Sequence, residues 1–307
     1  MTRVASVDLG TNSTRLLVAD VEDGRVHDVE RRLRITRLGE SVDTRRRLLP
    51  TAIARVRNCL VDFRRTAERL GAECVLAVAT SAVRDAENGE AFLGEVEWSY
   101  GFATRLLDGD EEALLTFRGA SAGRELDPGT LVVDIGGGST ELIVGGPDGV
   151  DFHRSLDVGC VRLTERFGED LERMADEAQN ALPELSVRGG IGVAGTVTAL
   201  AALDLGLLEY DSDRVHGHAL SRAGLERQLD RLAAIDPEER RSVPGLEPDR
   251  GPVIVAGALI LREVLVHYGL DVIEASEHDL LDGAALVAAE LPETEEGAAP
   301  PGAYTCC

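Results

Sequence analysis

The chain has 307 residues, enough for one large domain or two of ordinary size. Its net charge of −23 excludes a general nucleic-acid binder, which needs a basic face. The first 70 residues nevertheless hold 15 arginines against 10 acidic residues. This excess predicts either a surface for a polyanion or ordinary solvated charges on loops and helices. The arginines concerned are Arg31, Arg32, Arg34 and Arg45–Arg47.

Cysteine usage and hydropathy predict the cellular setting. The five cysteines are an odd number and form no C-x-x-C pair, so a disulfide framework is not expected. The longest apolar stretch, Ile191–Leu208, contains Asp204 and reads as a buried strand plus helix, not as a membrane span. No signal peptide is recognised at the N-terminus. Together these features predict a cytoplasmic protein without a membrane partner.

Strands and helices alternate along the chain, with apolar spacings of three and four in the helices. Strands are predicted at 4–7 and 16–19 around the turn Gly10–Asn12, then at 74–79, 102–107, 131–134, 141–144, 190–194 and 271–275. Helices are predicted at 53–70, 91–98, 110–122, 160–182, 197–205, 222–235, 252–267 and 279–290. Residues 292–307 are rich in Pro, Gly, Ala and Glu, which predicts a disordered tail.

A segment of the first part of the chain recurs at a constant offset of 126 residues. Val7–Val18 (VDLGTNSTRLLV) aligns with Val133–Val144 (VDIGGGSTELIV), and 7 of 12 positions are identical. A repeat of this size implies two similar α/β domains. We predict one domain at 1–120, joined by the last helix at about 279–290, and a second at 121–278.

Each copy of the repeat reads as a strand, a glycine turn and a second strand. Glycine exposes backbone N–H groups that can bind an anion, which predicts phosphate contacts from both turns. These residues are Gly10, Thr11, Asn12 and Ser13 in the first copy and Gly136, Gly137, Gly138 and Ser139 in the second. The hydroxyls of Thr14 and Thr140 are further candidate donors. Asp8 and Asp134 end the first strand of each copy, and a carboxylate beside phosphate calls for a cation between them, Mg²⁺ (or Mn²⁺) by preference.

Motifs in the same order along nearly the whole chain closely resemble the Ppx/GppA phosphatase family. They are DLGTNSTRLLV, ATSAVRDAENG, DGDEEALLTF, VVDIGGGSTEL, GCVRLTERF, GVAGTVTALAAL, GHALSR and PGLEPDRGPVIVAGALIL. The resemblance implies two ribonuclease-H-like domains of the actin-like ATPase (sugar kinase/actin) superfamily, with the active site in the interdomain cleft. The chain also has no lysine, which excludes the G-x-x-x-x-G-K-[ST] phosphate loop of other nucleotide-binding proteins.

The resemblance also implies roles for individual residues. Glu112 would activate the attacking water, and crowding by neighbouring carboxylates would raise its pKa. The alternative is a helix capped by Asp110 with Glu112 in its first turn. Asp134 and Glu141 would hold Mg²⁺ or orient water. Arg84 would stabilise phosphoryl charge, or else form a structural salt bridge.

Two further features leave alternatives open. Gly195 and Thr196 would hold the next phosphate, or only pack a strand against a helix. His216 and His218 would serve a structural or phosphate-contact role in preference to a metal site.

The segment before the last helix departs from the family. Ser276–Gly283 lacks the Gly-Leu-Arg that the family tends to have, and the further helical domain of longer relatives is not matched.

The sequence therefore predicts an exopolyphosphatase that releases orthophosphate from inorganic polyphosphate and favours short chains. Hydrolysis of pppGpp is the alternative within the same class of enzyme. A non-catalytic sensor of polyphosphate or alarmone is the alternative from another class. No nucleic-acid partner is expected, and a homodimer stays open.

Overall fold

The computed structural model of the chain describes residues 1–291, and it separates into two compact units. The first unit contains Met1–Gly123 together with the described chain from Leu280 on, and the second contains Arg124–Asp279. The predicted disordered tail at 292–307, with Cys306 and Cys307, lies outside the described residues.

The first unit is built on a five-stranded mixed sheet with the order β3-β2-β1-β4-β5. Strands β1, β2 and β3 are antiparallel neighbours, and β4 and β5 continue parallel to β1. The five strands are β1 (Thr2–Leu9), β2 (Ser13–Glu22), β3 (Arg25–Ile35), β4 (Cys74–Ala79) and β5 (Ala103–Leu106).

Helices cover both faces of this sheet. Helix α2 buries Val56, Leu60 and Phe63 on one stripe, begins at a proline and ends at Gly71, whose φ of +75° suits a helix C-cap. The helices are α1 (Val42–Arg45), α2 (Pro50–Leu70), α3 (Ser81–Arg84), α4 (Gly89–Tyr100) and α5 (Gly109–Ala120).

The second unit repeats this sheet and adds one strand at an edge, in the order β10-β11-β9-β6-β7-β8. Strand β6 is antiparallel to β7 and parallel to β9, as β1 is to β2 and β4. The strands are β6 (Thr130–Ile135), β7 (Thr140–Gly146), β8 (Gly149–Leu156), β9 (Gly189–Val193), β10 (Ala219–Ser221) and β11 (Val272–Ala275). The predicted α/β class is confirmed.

The helices of the second unit form its core with the sheet, and α11 is buried along nearly its whole length. The prediction of one helix at 160–182 is wrong. Gly168, with φ +62°, ends the first helix, and the side chain of Asp170 caps a new one. The helices are α6 (Cys160–Phe167), α7 (Leu171–Ala181), α8 (Ala194–Asp204), α9 (Ser212–Val215), α10 (Arg222–Ala233) and α11 (Ile254–His267), with two short 3₁₀ helices at Glu239–Ser242 and Pro248–Arg250.

The final helix, α12 (Leu280–Ala288), belongs to the first unit. Leu280, Leu281 and Ala284 pack on a cluster that includes Val4 and Leu76 from the first sheet. The hydroxyl of Ser6 donates to the carbonyl of Leu281 (2.8 Å).

The arginines predicted on loops or helices near residue 30 lie on strand β3. Arg31 forms ion pairs with Asp28 and with the fully buried Asp282, and Arg32 pairs with Glu30. Arg31 and Arg32 are thus ion-paired within the first unit.

No described helix is long and apolar enough to cross a membrane. The cysteines of the described chain, Cys59, Cys74 and Cys160, are free thiols.

Candidate active site

The first glycine loop, Gly10–Ser13, connects β1 to β2 and is held by backbone hydrogen bonds. The N–H of Gly10 donates to the carbonyl of Ser13 (3.0 Å) and closes the turn. The carbonyl of Thr11 accepts from Gly39 N–H (2.8 Å). The carbonyl of Asn12 accepts from the N–H groups of Thr36 (3.1 Å) and Arg37 (2.9 Å). The chain after β3 thus holds two successive carbonyls of this loop.

Among the side chains of the first loop, Asn12 differs from its neighbours. Thr11 shares a hydrogen bond with the Ser81 hydroxyl (2.9 Å), and Ser13 is half-buried. Asn12 is only 8% exposed, and within the described chain its buried Nδ2 has no hydrogen-bond partner. A buried amide donor without an acceptor is costly, which suits a position that binds an anion.

The second loop, Gly136–Ser139, has the same turn, with Gly136 N–H donating to the carbonyl of Ser139 (3.0 Å). Its carbonyls are held by the start of α6: Cys160 N–H donates to Gly136 (3.0 Å). Val161 and Arg162 N–H groups donate to Gly137 (2.9 and 3.0 Å). A Cβ on Gly159 would lie 2.4 Å from the carbonyl oxygen of Gly137, so the close approach requires glycine there.

Peptide geometry fixes what the second loop presents. A trans peptide unit points its N–H opposite to its carbonyl, and the described chain contains no cis peptide bond. Because the carbonyls of Gly136 and Gly137 face α6, the N–H groups of Gly137 and Gly138 face the other way. Successive N–H groups on one side of a glycine turn form an anion-binding nest.

The predicted hydroxyl donors next to the two loops are not free for a ligand. Thr140 Oγ1 donates to the carbonyl of Val158 (2.6 Å), so the expectation that it is a phosphate donor is wrong. Thr14 Oγ1 shares a hydrogen bond with Thr36 Oγ1 (2.9 Å) in the interior.

The acidic residues of the two loops have different cross-strand neighbours. Asp8 lies opposite Arg15 in the β1–β2 ladder, and Asp8 Oδ2 accepts from Arg15 Nε (2.9 Å). At the same register of β6–β7, Asp134 lies opposite Glu141. Asp134 is 6% exposed and Glu141 is 1% exposed, and Ser155 Oγ donates to Glu141 Oε1 (2.8 Å).

Two carboxylates at opposed positions of a ladder lie about 4.5–5.5 Å apart at Cβ and repel each other. A divalent cation with oxygen ligands neutralises such a pair, and Mg²⁺ takes one or two carboxylates with water and phosphate oxygens. The residues therefore fit a magnesium ion. Within residues 1–291, no group of three or more His, Cys, Asp or Glu side chains is placed to hold a metal.

Glu112 lies in the first turn of α5 and is 6% exposed. The helix is capped by Asp108, not by Asp110 as the structural alternative had it. Asp108 accepts from Glu111 N–H (2.8 Å), and Glu111 accepts in return from Asp108 N–H (3.2 Å). These two carboxylates are thus oriented toward the backbone of the cap.

Arg84, at the end of α3, is the partner of Glu112. Its Nη1 donates to Glu112 Oε2 (3.1 Å) and to the carbonyl of Leu107 (2.9 Å). The structure brings together these two predicted site residues, which are 28 positions apart. Arg84 therefore forms the salt bridge that was given as the alternative to a catalytic role, and it fixes the position of the Glu112 carboxylate. A contact between Arg84 and phosphate stays a prediction.

Gly195 and Thr196 begin α8, directly after β9. Thr196 Oγ1 donates to the carbonyl of Ile135 (3.0 Å), so its hydroxyl joins α8 to the end of β6. A Cβ on Gly195 would lie 1.9 Å from Nη2 of Arg250. The guanidinium of Arg250 thus lies against the start of α8, at the end of the sheet where the second loop lies. Arg250 is a candidate that the sequence did not single out.

Cys160 lies beside the second loop at the start of α6. Burial raises the pKa of its thiol, against the opposing effect of the Arg250 charge. A protonated buried thiol is not a nucleophile.

The two histidines have structural partners. His218 Nε2 lies 3.0 Å from Asp204 Oδ2. His216 Nδ1 accepts from Glu277 N–H (3.2 Å), and its ring packs edge-on against His278. These contacts agree with a structural role, one of the two roles preferred to a metal site, and a phosphate contact stays a prediction.

Comparison with known proteins gives consistent matches along the chain. The model of the Ppx/GppA phosphatase family matches residues 17–289. "Exopolyphosphatase 2" of Mycobacterium tuberculosis is 38% identical, over 93% of this chain and 98% of that protein. A guanosine-5'-triphosphate,3'-diphosphate pyrophosphatase of Vibrio vulnificus is 30% identical, over 92% of this chain and 58% of that protein. The crystal structure of an exopolyphosphatase-like protein superposes with a TM-score of 0.87 at 35% identity, over 95% of this chain and all of that one.

Proposed function

Since this chain belongs to the Ppx/GppA phosphatase family, we propose that it is an exopolyphosphatase with a preference for short chains. It would hydrolyse the terminal phosphoanhydride of inorganic polyphosphate in the cytoplasm and release orthophosphate. The relative named exopolyphosphatase covers almost the full length of both chains, which supports polyphosphate as the substrate.

The observation that carries the proposal is the second loop with its two acidic neighbours. Backbone N–H groups of Gly137 and Gly138 suit the oxygens of a phosphate. Asp134 and Glu141 stand at the base of the same loop and would repel that phosphate without a cation. Asp134 and Glu141 would therefore hold Mg²⁺ (or Mn²⁺). When bound, this ion would neutralise the negative charge of the terminal phosphate.

The chain's own residues would supply the rest of the mechanism. In the second unit, the N–H groups of the glycine loop would bind phosphate oxygens and Arg250 would contribute positive charge. In the first unit, the loop N–H groups and Asn12 Nδ2 would also bind phosphate oxygens. Glu112 would orient the attacking water and accept its proton, while Arg84 holds the carboxylate in place. Catalysis would thus come from placement and charge neutralisation, as is usual in phosphoryl transfer.

Hydrolysis of pppGpp is a second candidate, because the Vibrio vulnificus relative is named for that nucleotide. The two activities share the chemistry at the terminal phosphate and differ in the group to which that phosphate is attached. A sensor that binds polyphosphate or alarmone without turnover is the candidate outside enzymes.

The test is phosphate release from polyphosphates of several lengths, pppGpp and ATP, with and without Mg²⁺. Wild type should release orthophosphate from short polyphosphate only with the metal. Glu112→Gln should lower kcat by about 10²–10⁴-fold, the contribution expected of a general base. Glu111→Gln is the matched control, because Glu111 is the adjacent acid and serves the helix cap.

The outcomes separate the candidates. Faster release from pppGpp than from any polyphosphate would assign the nucleotide activity. Tight binding of each substrate without release would assign a sensor. Equal rates for wild type and Glu112→Gln would show that Glu112 is not the base.

A further inference from the structure

The third carbonyl of the second loop is held by a side chain. Arg162, on α6, donates its Nε–H to the carbonyl of Gly138 (2.7 Å) and is 7% exposed. The N–H groups of α6 reach Gly136 and Gly137, but the bond to Gly138 comes from the guanidinium. The Asp157 carboxylate lies 3.8 Å from Nη2 of Arg162 and is well exposed, so this ion pair contributes little.

The first loop fulfils the same requirement with backbone alone. Position 138 corresponds to position 12 at the repeat offset of 126, and the carbonyl of Asn12 accepts from the N–H groups of Thr36 and Arg37. In both units, therefore, the carbonyl at this position is bonded on the side away from the N–H groups of the loop. Arg162 supplies in the second unit what two backbone amides supply in the first.

The orientation of one peptide unit depends on this bond. The carbonyl of Gly138 and the N–H of Ser139 belong to the same planar unit, so turning the carbonyl toward Arg162 turns the Ser139 N–H the opposite way. That N–H joins those of Gly137 and Gly138 on the ligand side. The orientation of this unit is set by ψ of Gly138 and φ of Ser139, and glycine restricts its own ψ less than any other residue does. Without the guanidinium, a flip of this unit would present an oxygen to the phosphate.

We propose that Arg162 is a positioning residue that fixes the Gly138–Ser139 peptide unit so that three backbone N–H groups face the terminal phosphate. This proposal rests on the phosphate site described under "Proposed function". Arg162 acts through the loop and does not itself contact the substrate. Its loss weakens phosphate binding and leaves the fold intact.

The experiment measures binding and turnover separately. Tripolyphosphate is titrated with Mg²⁺ into ¹⁵N-labelled protein that carries Glu112→Gln to slow hydrolysis, following the amide signals of Gly137, Gly138 and Ser139; the hydrolysis assay keeps Glu112. Hydrolysis of the same compound is then measured with Mg²⁺. The variants are Arg162→Met, which keeps the apolar stem but has no donor, Arg162→Lys, and Asp157→Asn as the control that removes a nearby carboxylate charge.

With Arg162 in place, tripolyphosphate in the presence of Mg²⁺ shifts the three amide signals. Arg162→Met should weaken this binding about tenfold, the size expected for a lost charge-assisted hydrogen bond, and should raise KM more than it lowers kcat. Arg162→Lys should recover part of the affinity because an ammonium can still donate to the carbonyl. Asp157→Asn should behave as wild type. Near-UV circular dichroism should be the same for all four proteins.

Three results would overturn the proposal. The first is wild-type affinity of folded Arg162→Met for tripolyphosphate. The second is an absence of loop amide shifts with Arg162 in place. The third is a loss in Arg162→Met that comes only from a lower melting temperature and disappears on cooling. Failure of the proposed function looks different, because tripolyphosphate would then bind at these amides and wild type would release no orthophosphate.

Discussion

The two glycine loops of this protein share a turn and differ in their surroundings. In the first unit, backbone amides hold the loop, and Asp8 is paired with Arg15. In the second, a guanidinium completes the support, and Asp134 faces Glu141 across the ladder. Arg15 and Glu141 occupy equivalent positions of the repeat. This one difference gives Asp8 a cationic neighbour and Asp134 an acidic one. Under the proposed function, this difference predicts that both loops bind anions and that the second loop holds the metal.

Among the residues of the two loops, the largest effect on activity is expected from substitution of the aspartates, Asp134 and Asp8. Asp134→Asn should raise the Mg²⁺ concentration for half-maximal activity by about 100-fold, the upper end of losses seen when a metal site is perturbed. Asp8→Asn should change this concentration much less, because its carboxylate is already bonded to Arg15. Magnesium titrations of phosphate release check both variants. Equal shifts in the two would remove the distinction between the loops.

The next largest effect is expected on stability, from substitution of the two glycines that pack directly against the loops, Gly159 and Gly39. In Gly159→Ala the new Cβ would meet the carbonyl of Gly137 at 2.4 Å, and in Gly39→Ala it would meet the Thr11 methyl at 2.3 Å. Backbone cannot yield as a side-chain methyl can. Gly159→Ala should therefore lower the free energy of unfolding by about 1–3 kcal/mol, and Gly39→Ala by less. Thermal unfolding measures both, and the reverse order would contradict a more rigid second loop.

Asn12 offers a test in which stability and binding change in opposite directions. Asn12→Ala removes a buried Nδ2 without a partner in the described chain, whose desolvation costs about 1–3 kcal/mol. The ligand-free variant should be as stable as wild type or more so. Its affinity for tripolyphosphate should fall several-fold. Chemical denaturation and calorimetric titration provide the two measurements, and a loss of stability would show that the amide serves the fold.

The smallest effect is expected at Ser155, which donates to Glu141. Ser155→Ala removes one hydrogen bond to a buried carboxylate, at a cost of about 1 kcal/mol. The Mg²⁺ requirement should rise only a few-fold because Asp134 remains. A magnesium titration beside that of Asp134→Asn measures this, and a shift as large as that of Asp134→Asn would make Ser155 part of the metal site.

The repeat is visible in the sequence itself, and the main strands and helices could be predicted because each depends on the pattern of its own residues. Strongly apolar strands such as β6, and helices with a regular apolar stripe such as α2, were recognisable. Strand β3 was missed because it lies at a sheet edge, is half-buried at most and carries many charges. Its strand conformation depends on pairing with β2, which no local pattern records.

The residues of the candidate site likewise fall into those that could be predicted from sequence motifs and those that could not. Glu112, Asp134 and Glu141 stand in recognisable motifs, so the resemblance indicated them. Arg162 and Arg250 were not singled out because their partners are a backbone carbonyl and a glycine far away in the sequence. The repeat did contain one signal for Arg162. At the offset of 126 residues, position 162 corresponds to position 36, and the N–H of Thr36 bonds the carbonyl of Asn12 in the first loop.

The position of α12 has a consequence for synthesis on the ribosome. The chain leaves the first unit after Gly123 and returns to it only at Leu280, so the second unit is inserted within the first. The inserted unit is continuous and can complete its core while translation proceeds. The sheet of the first unit is synthesised earlier, but its residues Val4, Leu17 and Leu76 are covered by the last helix only after Leu280–Ala288 has left the ribosome. The part of the protein that is translated first is therefore the last to finish folding.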